Sequence, residues 1–134
     1  MSGTSKTPQV DIMRSPLGRA RGLGTAKAGA AHWWAQRLTA LALLPLTLWF
    51  LCAVVRMIGA TRDDVVLWMA GPLPVVLMIA LVIATFHHLQ LGLQTVIEDY
   101  VGNHALRVGA VLLVKGLALL LGLACIVATL RLGL

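Results

Sequence analysis

Charge is what this sequence lacks most. Charged side chains make up 12% of its 134 residues, and only five of them are acidic, whereas about 25% is typical of soluble proteins. Hydrophobic residues make up 59%. A soluble protein of this length has too little interior to bury that much apolar surface, but a lipid bilayer would cover it. The composition therefore predicts a membrane protein.

Several catalytic signatures are also missing. The chain contains no Walker A loop, no H-E-x-x-H and no G-x-S-x-G. It is too short to hold a soluble catalytic domain beside its hydrophobic segments. These absences exclude the enzyme classes that the motifs define.

Cysteine is scarce as well. The two cysteines, Cys52 and Cys125, both lie inside apolar runs, and no C-x-x-C or C-x-x-C-H occurs. The sequence therefore predicts neither a zinc site nor covalently attached c-type haem. We interpret both thiols as small hydrophobic side chains.

The basic residues are concentrated near the N-terminus. A net charge of +6 suits a nucleic-acid-binding protein, but six of the eleven basic residues precede the first hydrophobic run. That distribution is typical of the cytoplasmic flank of a membrane protein, so we expect membrane lipids and no nucleic acid as partners. Residues 1–31 have no apolar core of a secretory signal and are expected to be a flexible cytoplasmic segment, with a mitochondrial transit peptide as the alternative.

The remaining chain is predicted to be an all-α membrane protein. Residues 32–134 form a transmembrane anchor domain of three helices, at about 34–58, 73–100 and 106–131, within a larger heteromeric helix bundle. The uncharged stretch from Val65 to Ile97 has 33 residues, about 50 Å as a helix and too long for one crossing. The Gly71–Pro74 segment is predicted to interrupt this helix. Gly59–Asp64 is then a polar connection after the first span, and Val65–Ala70 is a segment at the membrane interface that leads into the second span.

The positive-inside rule sets the orientation of these spans. With the N-terminus in the cytoplasm, the inside carries seven Lys and Arg residues and the outside three, leaving aside Lys115, which can snorkel from within the third span. Both polar stretches, His32–Arg37 and Phe86–Tyr100, then lie toward the cytoplasmic face. A bacterial inner membrane is expected, and a mitochondrial inner membrane is the alternative.

Polar residues within the second span are functional candidates because they are costly at membrane depth. Helical spacing divides them into two lines. One line contains His88, Gly92, Thr95 and Asp99, and the other contains His87, Gln90, Gln94 and Glu98. The first line suits haem, since an imidazole can ligate iron and a glycine beside it leaves room for a flat macrocycle. Periodicity does not choose between the histidines, and both lines can instead hydrogen-bond neighbouring helices.

The interfacial residues suit quinone chemistry. The Tyr100 hydroxyl can donate to the carbonyl of a lipid-soluble quinone, with Asp99 holding a nearby cation or the phenol. Arg37 and His32, at the matching depth on the first span, can neutralise haem propionates or a quinone's developing negative charge. Each of these residues also has a simpler role as an aromatic anchor or a lipid-phosphate contact.

These residues resemble a known family. His88 followed after ten residues by Asp99 and Tyr100, with Gly92 in between and Q-R-L-T-A at Gln36–Ala40, is similar to the D-type, small cytochrome b membrane-anchor subunit of succinate dehydrogenase (complex II). The resemblance implies that His88 is an axial ligand of haem b, and therefore of its iron. It also implies that Tyr100 and Asp99 line a ubiquinone site.

The resemblance further implies a role within a complex. Arg37 and His32 would lie near the haem propionates, and the second axial histidine would come from a C-type, cytochrome b556-like anchor subunit. The chain would dock the flavoprotein and iron–sulfur subunits and support electron transfer from succinate to quinone, in the tricarboxylic acid cycle and respiratory chain, without being catalytic alone. Two alternatives remain at this point: an oligomeric proton or cation transporter that uses His87, His88 and Glu98, and a purely structural adaptor.

Overall fold

Four helices and no strand make up residues 28–133, the part of the chain that the computed structural model describes. The helices are α1 (Ala28–Arg56), α2 (Arg62–Met69), α3 (Pro72–Tyr100) and α4 (His104–Gly133). Helices α1, α3 and α4 are long and apolar enough to cross a membrane. The predicted fold class, an all-α membrane protein with three transmembrane helices, is confirmed.

Local chemistry explains where α3 and α4 begin. Gly71 is the N-cap of α3 and Pro72 occupies its first turn, where a missing N–H is harmless and the fixed φ suits a helix. At the start of α4, the Asn103 side-chain oxygen accepts hydrogen bonds from the N–H groups of Ala105 at 3.0 Å and Leu106 at 3.2 Å. The predicted bounds of both helices, 73–100 and 106–131, differ from the observed ones by at most two residues at either end.

The first helix differs more from its predicted bounds. It begins at Ala28 rather than near residue 34 and ends at Arg56 rather than 58. Residues 28–31, predicted to belong to the flexible N-terminal segment, therefore form the first turn of α1. The rest of that segment lies outside the described residues.

A short helix replaces part of the predicted polar connection. The sequence predicts a short polar connection at Gly59–Asp64, but α2 already begins at Arg62 because Thr61 and Asp64 form a capping box. Asp64 accepts hydrogen bonds from the backbone N–H of Thr61 at 2.9 Å and from its hydroxyl at 2.7 Å. The sequence T-R-D-D is thus a helix start with aspartate in place of the usual glutamate. The turn before it uses Gly59 at a φ of +85°, which glycine adopts without a steric penalty.

Helix α3 lies in the middle of the molecule. It packs against α1 on one side and α4 on the other, whereas α1 and α4 do not pack against each other. The α3–α4 contact is close because the ring of Phe86 lies over Gly122, where an added Cβ would meet ring atoms at 3.5 Å. The three long helices therefore form a layer with two open faces.

The layer buries little of its own surface. Among the described residues no large side chain is fully buried, and most leucines of α1 and α4 are exposed. Helices of 28 to 30 residues are about 42–45 Å long and exceed a hydrocarbon core of about 30 Å. Their ends therefore reach beyond the hydrocarbon, and their outer faces need lipid or other helices to cover them.

Candidate functional site

His88 lies between α1 and α3. Its Nδ1 atom is 3.0 Å from the hydroxyl oxygen of Thr39, and its Nε2 atom is 3.5 Å from the side-chain nitrogen of Gln36. Both partners belong to α1, so two helices position this imidazole. The side chain is half-buried.

The hydrogen bonds of Thr39 determine the tautomer of His88. The hydroxyl has one hydrogen, and it donates to the carbonyl of Ala35 at 2.8 Å, with the Gln36 carbonyl at 3.1 Å. Its oxygen therefore accepts from His88, which places the imidazole hydrogen on Nδ1. The lone pair on Nε2 then remains for the Gln36 amide or for a metal ion. A histidine ligand held through its other ring nitrogen is the usual arrangement at metal sites.

Two polar atoms on α1 have no hydrogen-bond partner. His32 Nε2 and Gln36 Oε1 are buried and have no hydrogen-bond partner within the described chain. His32, Gln36 and Thr39 follow the i, i+4, i+7 spacing and so share the face of α1 that turns toward His88. Buried polar groups without partners are rare in folded proteins. The cluster therefore fits a polar group from outside this chain.

Gly92 borders the same cluster. A Cβ added there would meet only one atom outside its own helix within 4 Å, the Gln36 side-chain nitrogen at 3.5 Å. That distance is ordinary van der Waals contact. Glycine is thus not required by the packing of this chain, and its effect is to keep the backbone open beside His88 and Gln36.

The second line of α3 faces elsewhere. His87 is exposed and borders two shallow grooves, one between α1 and α3 and the other between α3 and α4. Further along, Gln94 donates a hydrogen bond to Glu98 at 2.7 Å. The two lines predicted from periodicity thus have different partners: within the described residues, His88 makes the hydrogen bonds to α1, and His87 lies at the margin of both grooves. No cluster of three or more histidine, cysteine, aspartate or glutamate side chains able to hold a metal ion occurs within residues 28–133.

The remaining predicted site residues are not all brought to His88. Asp99 and Tyr100 are exposed at the end of α3, with Tyr100 at 85%, roughly 18 Å along the axis from His88 at about 1.5 Å per residue. The Arg37 guanidinium lies over the Trp33 ring at 4.9 Å. Arg37 projects from α1 about 100° away from Gln36. Helical spacing thus places His32 on the same face of α1 as Gln36 and Thr39, and places Arg37 off that face.

Two members of the cluster were missed as site residues. Gln36 and Thr39 belong to the Q-R-L-T-A stretch that resembles the family, but the resemblance assigns them no role. The spacing that picked out His88 and Gly92 on α3 also holds for His32, Gln36 and Thr39 on α1. Applying the helical template to the first span would have found them.

The fold and the cluster define a small membrane protein with three spans and a histidine-centred site between the first two. The chain belongs to the succinate dehydrogenase/fumarate reductase transmembrane subunit family, because residues 11–130 match the model of that family. The family inferred from the His88-to-Tyr100 pattern is confirmed.

Individual relatives agree with this assignment. The chain is 32% identical to the succinate dehydrogenase hydrophobic membrane anchor subunit of Rickettsia bellii over 86% of its own length and 92% of the relative's. It is 34% identical to the subunit of the same name from Paracoccus denitrificans, over 64% of this chain and 67% of the relative. It is 31% identical to the succinate dehydrogenase membrane anchor subunit of Reclinomonas americana, over 69% of this chain and 80% of the relative. No solved structure gives a significant match.

Proposed function

We propose that this chain anchors a succinate dehydrogenase to the membrane and that His88 provides one axial ligand to a b-type haem shared with a second anchor subunit. The observation that carries the proposal is the Thr39 hydroxyl at 3.0 Å from His88 Nδ1. This contact fixes the ring and leaves Nε2 as the ligating atom. When bound, the haem supplies a one-electron carrier.

The surrounding residues fit a haem site. The open backbone at Gly92 leaves room beside the imidazole, and the unpartnered atoms of His32 and Gln36 supply hydrogen-bonding capacity. His32 is the better candidate for a propionate contact, since it shares the His88 face of α1. Arg37 would serve the same purpose only from the side of α1 that carries Trp33. The second ligand would come from a C-type anchor subunit.

Quinone binding is proposed at the end of α3. Tyr100 is exposed and its hydroxyl is free to donate to a ubiquinone carbonyl, with the adjacent Asp99 orienting the phenol or holding a cation. Both residues extend beyond the apolar part of the helix, at the interface where a water-soluble iron–sulfur subunit would dock. The chain would contribute binding groups to quinone reduction, and succinate oxidation would belong to the flavoprotein subunit.

A proton or cation transporter is less well supported. Such a relay would connect His87, His88 and Glu98. In the structure His88 turns toward α1, while His87 borders the open grooves and Glu98 is bonded to Gln94. The three groups do not share one path, so the structure favours the anchor function.

We further propose that the complex lies in a bacterial inner membrane, with the N-terminus of this chain in the cytoplasm.

The haem assignment is tested by comparing the two neighbouring histidines. In the purified complex, His88→Leu should abolish or shift the b-type absorbance because it removes the ligand. His87→Leu is the matched control, since it changes the same residue type one position away and should leave the spectrum unchanged. A normal spectrum in His88→Leu would refute the ligand assignment.

The quinone assignment is tested by Tyr100→Phe, which removes only the hydroxyl. Quinone reduction should fall roughly tenfold or more, as for loss of one hydrogen bond to a developing charge. Succinate oxidation measured with a water-soluble artificial acceptor should persist. Equal loss of both activities would indicate defective assembly and contradict a direct role for Tyr100.

A further inference from the structure

A cavity lies at the opposite end of the molecule from the His88 cluster. It has a volume of about 590 Å³ and lies between the end of α1 and α2, lined by Trp49, Cys52, Ala53, Arg56, Met57, Ala60, Asp64 and Trp68. The space exists because the backbones of α1 and α2 do not approach each other. Two indole rings bridge the gap, since Trp49 and Trp68 stack with centroids 5.9 Å apart and planes 22° from parallel.

The cavity presents one charge of each sign. Arg56 is the last residue of α1, and Asp64 lies in the first turn of α2. The hydrogen bonds from Thr61 hold the pKa of the Asp64 carboxyl below its ordinary value of 3.8, so it is ionised at neutral pH. Both Thr61 donors use Oδ2. The second carboxylate oxygen therefore remains available to a ligand.

An apolar cavity adjoins this charged one. Its volume is about 320 Å³, and its lining, drawn from α1, α2, α3 and α4, is almost wholly apolar. The two cavities share Ala53, Met57 and Trp68 as a common wall. A charged compartment and an apolar compartment on either side of one wall match the two parts of an amphiphile.

We propose that this site binds an amine-bearing zwitterionic phospholipid, with its phosphate at Arg56, its ammonium at Asp64 and part of an acyl chain in the apolar cavity. An anionic headgroup has a phosphate for Arg56 but no cation to pair with Asp64, and a quinone has no charge to pair with either residue. A primary ammonium can donate hydrogen bonds to the free carboxylate oxygen, whereas a choline group cannot. The tryptophan pair suits the interfacial depth of a headgroup.

The site is independent of haem and quinone binding. It lies at the end of α1 away from Gln36 and Thr39, and none of its lining residues belongs to the His88 cluster. Failure of the proposed lipid site would therefore leave the function proposed above untouched.

The test measures lipid binding to the purified complex. The delipidated complex is titrated with phosphatidylethanolamine, phosphatidylcholine or phosphatidylglycerol of matched acyl chains, and bound lipid is counted by native mass spectrometry. We expect phosphatidylethanolamine to bind about tenfold more tightly than either other lipid, as for one added hydrogen bond to a charged group. Equal binding of the three lipids to the wild-type complex would overturn the proposal without any variant.

Substitutions then test whether Arg56 binds the phosphate and Asp64 binds the ammonium group. Arg56→Gln should weaken binding of phosphatidylethanolamine about tenfold, and Asp64→Asn should remove the preference over phosphatidylglycerol. Arg62→Gln is the matched control because Arg62 belongs to the same connection but does not line the cavity, and Thr61→Val controls for damage to the cap while keeping the Asp64 charge. Equal weakening in Arg62→Gln, or an unchanged preference in Asp64→Asn, would overturn the assignment.

Discussion

His87 and His88 are neighbours in the sequence, yet they lie in different environments. His88 is held by Thr39 and Gln36 between two helices, whereas His87 is exposed beside open grooves. The difference arises from the 100° step of an α-helix and from the position of α1 on one side of α3. A histidine in an apolar span becomes a candidate ligand only when a second helix fixes its ring, and residue type alone does not decide this.

The largest effect is expected when a bulky side chain replaces Gly92, on the face of α3 that carries His88. Gly92→Leu should reduce the b-type absorbance of the purified complex to near background, because a side chain there extends toward Gln36 and the space beside His88. Gly109→Leu is the control, since an added Cβ at Gly109 meets nothing within 4 Å. Full absorbance in Gly92→Leu would show that no group lies against this backbone.

A smaller effect is expected when the ring of His88 loses its hydrogen-bond partner. Thr39→Val keeps the shape of the side chain and removes the oxygen that accepts from Nδ1. Haem retention during washing with a competing apoprotein should fall roughly 10- to 100-fold, as for other partners of metal-binding histidines. Thr39→Ser should restore it. A merely structural role would give the same retention in both variants and no shift in midpoint potential.

The smallest effect is expected at α2, which contacts neither histidine. The hydrogen bonds from Thr61 lower the pKa of Asp64. The Asp64 carboxylate therefore stabilises the start of α2 fully at pH values above 3.8, the ordinary pKa of the group. This contribution is lost as the pH falls through the pKa of Asp64 in the folded protein. Thr61→Val should raise the pKa of Asp64 and speed amide exchange at Val65 by about fivefold, as for loss of one helix cap. The haem spectrum should not change, and a change would mean that the two ends of the molecule are coupled.

Much of the fold was predictable from the sequence. Apolar runs gave the three spans, and Pro72 and Asn103 account for the starts of α3 and α4. The early start of α1 was not predicted, because Ala28–Ala31 have no charge or periodicity to separate them from the preceding segment. The start of α2 is not predicted from the sequence, because T-R-D-D has aspartate where a capping box usually has glutamate.

Helical spacing predicts the candidate site residues on each helix, but it does not predict the contact between the two helices. A histidine, a glycine and an aspartate on one face stand out in an apolar helix, so His88 and Gly92 could be identified from spacing and resemblance. The contact with Thr39 depends on how α1 and α3 are rotated about their axes. In membrane helices that rotation is set by packing, and the apolar part of α1, which mixes leucine with other apolar residues on all sides, carries little information about it.

The central position of α3 also bears on the order of events during synthesis. Since the backbones of α1 and α4 each pack on α3 and not on each other, the first two spans can pair as soon as α3 has entered the membrane. The contact of His88 with Thr39 needs nothing from α4. In the function proposed above, a nascent chain would therefore present the imidazole to the partner anchor subunit before its last span is made, and haem binding would not have to wait for the complete protein.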